Sequence, residues 1–241
     1  MRGRRGRYGP VVPVRLGSAY RGAFDRLDAR VRALAAADPA GPDVPVPACP
    51  GWTVHDVVAH LAGIAVDVTE GRLRGIPDDA WTAGQVDCRR GVPVRAVLDE
   101  WAPRVEPIAA ALDARRMPVQ VAADVLVHEG DVVEALGDPV PPEEGWCDAA
   151  RLLCRGVIGA VDRPGAVTVR CGGDVWAGGA GGKPVAEVEV EPWELLRAVF
   201  SRRSARQMRA WAWRGDPEPW LAPFCVFGLR DDDQPGPWNR R

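Results

Sequence analysis

The stretch Asp124-Val-Leu-Val-His128-Glu-Gly-Asp131 sets a carboxylate, an imidazole and a second carboxylate at steps of four and three. On an α-helix those steps put all three side chains on one face. Valine, leucine and alanine dominate the rest of the segment, so the polar stripe is not simply the solvent side of an amphipathic helix. Two arrangements are open. The stripe can face outward, with Asp131 forming an ordinary surface pair with His128. Or it can face inward, where unpaired charges are costly and a bound cation is the economical partner for a carboxylate and an imidazole together.

Imidazole is scarce in this chain, which has only three histidines, at positions 55, 60 and 128. His60 lies in Val57-Val-Ala-His60-Leu-Ala-Gly63, flanked by apolar side chains on the face expected to be buried. A lone histidine in such a place is ordinarily a satisfied core residue. Two helices that each offer an inward imidazole, together with the carboxylate of Asp124, instead make a three-ligand set that leaves a coordination position open. His55 stands five residues before His60, about 140° around a helix, and reads as a surface residue in the first turn. Asp131 is three residues from His128, which suits either a relayed orienting contact or a plain helix pair.

These residues need helices to hold them, and the chain supplies four with apolar stripes. The first covers Ser18 to Ala37, with Tyr20, Phe24, Leu27, Val31 and Leu34 at steps of four and three; Asp38-Pro39 ends it. A proline-rich connection leads to Thr53, which can cap a second helix with Asp56 near its positive end; that helix is expected to run to about Arg74. A third follows Pro93 and continues to about Arg115. A fourth, with the Asp124–Asp131 stripe, runs from Val119 to Leu136 and is closed by Gly137. Four helices with proline-marked joints read as a four-helix bundle over 16–137.

After a linker at 138–147 the texture changes. Asp148 to Asp162 reads as a fifth helix, whereas 167–171 and 185–190 alternate with period two, the signature of strands. The glycine-rich stretch 172–182 between them reads as turns. Trp193 to Phe200 and Ser204 to Trp213 read as two short helices. The chain beyond 147 is thus a small α/β unit over 148–230, followed by a loose tail at 231–241, and residues 1–15 read as a basic, disordered leader.

The chain has 241 residues, and its 31 basic and 33 acidic side chains nearly cancel. That balance removes the main electrostatic reason to expect a nucleic-acid or anionic-membrane partner. No apolar run approaches the ~18–20 residues that span a bilayer, and no apolar segment follows the basic N-terminus to make a secretory signal. The six cysteines form no C-x-x-C pair, which reads as free thiols in a reducing, cytoplasmic setting. No nucleophile elbow, P-loop or dinucleotide fingerprint occurs.

Three motifs resemble one known family. Pro47-Ala-Cys-Pro-Gly-Trp-Thr-Val-His-Asp-Val-Val-Ala-His-Leu-Ala-Gly63 is similar to the second-helix signature of mycothiol-dependent maleylpyruvate isomerase-like proteins, in the DinB-like superfamily. Asp124 to Gly137 resembles their fourth-helix signature, and Trp193 to Gln207, ending in Gly215-Asp216, resembles their second domain. The resemblance spans roughly Leu16 to Arg230. It implies an α+β fold: a DinB-like four-helix bundle followed by a small α/β domain like that of sterol-carrier proteins. It also implies a divalent metal, commonly zinc, held by His60, Asp124 and His128, and mycothiol as the thiol cofactor. Asp124 stands where the family usually has Glu, and Ser201 where its second-domain signature begins with Gly. Arg202 and Arg203 suit bidentate binding of a carboxylate on substrate or thiol, or are surface arginines. Cys49, inside the first motif, is expected to pack rather than to act as a nucleophile.

Three functions follow as expectations. The first is a metal- and thiol-dependent isomerase or S-transferase acting on a small electrophilic substrate. The others are a non-catalytic metal-binding or stress-related bundle, and a metal-dependent hydrolase that activates water at the same open position.

Overall fold

The computed structural model describes residues 15–72 and 78–236. Helix α1 (Leu16–Ala37) leads through a short connection to α2 (Val54–Thr69), then α3 (Asp79–Asp87), α4 (Val94–Asp113) and α5 (Gln120–Leu136). Helices α1 and α2 each pack against both α4 and α5, which closes the four-helix bundle. The apolar stripes read from the sequence face this interior: Tyr20, Leu27 and Val31 of α1, Val57 and Val58 of α2, Trp101 and Ile108 of α4, and Val125 and Leu126 of α5 are all buried. Inside the bundle, Trp101 donates its indole N–H to the Tyr20 hydroxyl at 2.9 Å, a partner that a buried indole requires.

Helix α2 starts as its cap dictates. Thr53 accepts from the Asp56 backbone, and Asp56 returns a bond to the Thr53 backbone, a complete capping box. It ends at Thr69 rather than near Arg74, because the Thr69 hydroxyl bonds back to the Ala65 and Val66 carbonyls and Gly71 turns left-handed at φ 68°. Helix α3 is a further departure from the expected four. Its apolar stripe is too short and weak to show in the sequence, but it is capped by Asp78 and packs on α2.

Beyond the bundle lie α6 (Cys147–Gly159), β1 (Ala166–Cys171), β2 (Asp174–Gly178), β3 (Pro184–Glu189), α7 (Pro192–Val199), α8 (Ala205–Arg209), β4 (Ala212–Arg214) and α9 (Glu218–Leu221). The sheet order is β2-β1-β3-β4, with β1 and β3 parallel and both edges antiparallel. Two expectations change here. The glycine-rich segment contains β2, since Gly172 and Gly173 both take positive φ and close a two-residue hairpin in which Cys171 faces Asp174. The second short helix stops at Arg209, and Trp213 instead pairs with Val188 as part of an edge strand. The architecture is α+β: a helical N-terminal unit followed by a small sheet with helices.

The two parts share one continuous hydrophobic core. The segment after Arg230 is not loose up to 236. Arg230 donates to the Ala48 carbonyl at 3.0 Å, Gln234 is 1% exposed, and its carbonyl accepts from Gln207 at 2.7 Å. Among the described residues all six cysteines are free thiols, and no helix is long and apolar enough to cross a membrane. Residues 1–14, most of the expected leader, lie outside the described residues.

Candidate metal centre

Helices α2 and α5 bring His60, Asp124 and His128 together inside the bundle. One ligand atom from each lies within 4.8 Å of the others. His60 is 5% and His128 7% exposed, so the Asp124–Asp131 stripe takes the inward arrangement. His60 Nε2 stands 3.5 Å from Asp124 Oδ2, and His128 Nε2 stands 3.6 Å from Asp124 Oδ1. Both contacts are longer than a charge-assisted hydrogen bond.

The other ring nitrogen of each histidine decides what these contacts are. His128 Nδ1 is 2.9 Å from Asp131 Oδ2. That contact is direct, so the α5 turn needs no relay between His128 and Asp131. His60 Nδ1 is 2.8 Å from the Gln85 side-chain oxygen. A carboxylate and an amide oxygen only accept, so each Nδ1 carries a proton, and in the neutral imidazole each Nε2 keeps a lone pair. Two lone pairs and a carboxylate therefore converge. Accordingly Asp124 Oδ2 is buried with no hydrogen-bond partner among the described residues. Burial pushes the Asp124 carboxyl up, and the His60 and His128 imidazoles, when they carry charge, bring it below its ordinary value. The donor set of two imidazole nitrogens and one carboxylate suits zinc, and the orphaned oxygen is what a cation would satisfy.

Asp131 is the anchor of this arrangement. Its Oδ1 accepts from Arg197 at 2.5 Å, and Arg202 reaches Oδ1 at 3.2 Å and Oδ2 at 3.0 Å. Burial raises its carboxyl, but Arg197 and Arg202 outweigh burial and hold it well below the ordinary carboxylate range. One turn on, Glu134 accepts from Arg197 and Arg203. Gly130 makes room for this: a Cβ there would lie 2.6 Å from the Arg197 guanidinium. Neither Arg202 nor Arg203 is the surface arginine that the sequence allowed. Arg203 is 0% exposed and forked onto Glu134 and Glu194, and Arg202 lies beside Cys49 with a side chain 12% exposed. Ser201 before them has φ 61°, the left-handed conformation that explains a glycine preference at this position.

Cys49 directs its thiol to Asp131 Oδ2 at 3.2 Å, and burial and the neighbouring carboxylate push that thiol up. A thiol held protonated in this way is a poor nucleophile. Trp52 was not singled out from the sequence, yet its ring lies 5.2 Å from that of His60 and is stacked 6.0 Å from that of His128. Pro50 and Gly51, the latter at φ 84°, form the tight turn that brings it there, closed by Trp52 N–H donating to the Cys49 carbonyl at 2.9 Å. Gln85 was missed too, because nothing in its spacing ties it to His60. His55 stands apart, its Nε2 2.7 Å from the Val92 carbonyl.

Residues 20–125, a span holding His60 and Asp124, match the family described as mycothiol maleylpyruvate isomerase N-terminal domain. Among solved structures, the crystal structure of the mycothiol-dependent maleylpyruvate isomerase is similar at a TM-score of 0.51 and 14% identity, covering 78% of this chain and 88% of that one. A histidine-to-alanine mutant of the mycothiol-dependent maleylpyruvate isomerase is similar at a TM-score of 0.53 and 13% identity, with the same coverage. At such identities the likeness is one of fold. No curated protein matches the chain.

Proposed function

From the match of residues 20–125 to the mycothiol maleylpyruvate isomerase N-terminal domain family, we propose a divalent-metal, mycothiol-dependent enzyme. Its reaction is isomerisation or S-transfer on a small electrophilic, carboxylated substrate. The observation that carries this reading is the approach of His60 and His128 Nε2 to the two oxygens of one carboxylate, Asp124, whose Oδ2 is buried with no hydrogen-bond partner among the described residues. His60, Asp124 and His128 would hold the metal, zinc being the best match to their donor types. When bound with an open position, such a cation lowers the pKa of a thiol and favours thiolate at neutral pH.

The remaining work falls to the chain itself. Asp131 keeps the proton on His128 Nδ1, which leaves Nε2 as a ligand, and the two arginines keep Asp131 ionised so that it cannot take that proton. The Trp52 ring covers both imidazoles on one side and limits water there. Arg202 is the arginine that would contact a carboxylate: its side chain is 12% exposed and pairs with Asp131 beside the site, while Arg203 is enclosed.

The test is metal content first and turnover second. Purified protein should hold about one zinc per chain, and the His60→Ala and His128→Ala variants should lose it. Mycothiol with maleylpyruvate, then with other electrophiles, should give isomerisation or a thioether only in the metal-loaded wild type. Absence of stoichiometric metal, or its retention in both variants, would falsify the proposal. Zinc without thiol dependence would point to the hydrolase or to a non-catalytic binder.

A further inference from the structure

The helix absent from the sequence reading carries one side chain into the site. Gln85, on α3, is 5% exposed and bonds His60 Nδ1 through its side-chain oxygen at 2.8 Å. An amide can flip, and a flipped Gln85 would present an N–H to His60 and force the ring proton onto Nε2, which would close that nitrogen to a metal. Asp67 prevents the flip. Gln85 Nε2 donates to Asp67 Oδ2 at 2.9 Å, and a carboxylate can only accept. Asp67 is held in turn by Arg72, whose Nε lies 3.0 Å from its Oδ1.

The main chain also leaves space for this contact. A Cβ on Gly63 would lie 2.6 Å from Gln85 Cβ and 2.8 Å from its Cγ. Gly63 stands one turn beyond His60 on α2, so a bare backbone at that point lets Gln85 lie against the helix and reach the ring. The two imidazoles are therefore held by different partners, His60 by a neutral amide and His128 by a carboxylate.

We infer that Gln85, locked by Asp67 and admitted by Gly63, is the positioning residue that sets His60 as an Nε2 ligand. This rests on the proposed metal site and extends it to a helix outside the four-helix bundle. Gln85 touches no reacting atom. Its role is to choose which ring nitrogen is free, the outer-shell function that conditions metal affinity.

The experiment reads the tautomer and the affinity separately. In metal-free protein, the 15N shifts of the His60 ring should report Nδ1–H in the wild type and a mixed or Nε2–H form in Gln85→Leu. Zinc affinity by chelator competition should fall about 10-fold or more in Gln85→Leu, and likewise in Gly63→Ala, which alters neither His60 nor Gln85. Gln85→Glu alone would set a second carboxylate against Asp67, so it is combined with Asp67→Asn, whose amide restores the donor; that double variant should return Nδ1–H and near wild-type zinc affinity. Far-UV circular dichroism of each variant should match the wild type. An unchanged tautomer or an unchanged zinc affinity in Gln85→Leu overturns the inference while leaving the metal site standing. A wild type that binds no zinc at His60 and His128 overturns the metal site, and with it the role of Gln85 in metal binding, whatever the tautomer shows.

Discussion

A buried carboxylate oxygen without a donor is expensive in a folded protein, and Asp124 Oδ2 is one, 3.5 Å from His60 Nε2, while His128 Nε2 lies 3.6 Å from the other oxygen of the same carboxylate. With both imidazoles neutral, metal-free protein carries a local repulsion there, one that the proposed cation would relieve. Asp124→Asn supplies an N–H₂ that can donate to either ring, so the metal-free variant should be more stable than wild type by about 1 kcal/mol. In the same variant zinc affinity should fall by more than the ~10–100-fold typical of losing an outer-shell partner. Urea denaturation in the presence of chelator, set beside chelator competition, checks both signs; a variant that is destabilised without metal would contradict this account. At this scale the candidate ligands' convergence was legible because helical spacing placed Asp124 and His128 on one face and apolar neighbours placed His60 inside. Gln85 and Trp52 were not, because a side chain that arrives from another element leaves no periodic trace at the residue it touches.

Helix α5 joins the two halves of the protein as well as carrying two of the proposed ligands. Asp131 and Glu134 on it meet Arg197 of α7 and Arg202 and Arg203 beyond, all but Arg202 essentially enclosed. Arg197→Met would leave both carboxylates short of a buried donor, and the loss should be about 3–5 kcal/mol in urea unfolding, with weakened zinc binding through the Asp131–His128 contact. Retention of full stability would show that Arg202 and Arg203 suffice without it. The Phe200–Arg202 turn permits a second measurement. Ser201 holds a left-handed backbone and its hydroxyl accepts from Phe227 N–H at 3.0 Å. Ser201→Ala keeps the strain and loses the acceptor, so it should destabilise by about 1 kcal/mol; Ser201→Gly trades relief of strain against the same lost bond and should lie near zero. Thermal melts of the pair distinguish the two contributions, and equal losses would contradict the strain argument.

At the scale of the whole molecule, the bundle and the sheet share one core, and the charges at their joint are satisfied only when both are present. Unfolding should therefore be a single transition, with far-UV circular dichroism and tryptophan fluorescence coincident in urea. Two separated transitions, with the bundle surviving the loss of the sheet, would contradict this. The segment after Arg230 takes part in the same body, since Arg230 ties it to the turn holding Cys49 and Trp52.

Local rules in the amino-acid sequence determined the bundle helices, the Thr53 cap, the Gly137 stop and the inward placement of His60, Asp124 and His128. Periodicity, capping and proline placement act within a few residues, and they are readable wherever the element is long enough to show a period. The short elements escaped this reading: α3 and β4 are held by partners distant in sequence, and β2 is a five-residue strand folded onto β1 by a glycine hairpin. The tertiary structure also decided what the charged residues do. Asp131, Arg202 and Arg203 read equally well as surface pairs until the fold enclosed them. It decided the tautomers of His60 and His128 too, because a ring proton goes to whichever nitrogen faces an acceptor, and for His60 that acceptor arrives on another helix.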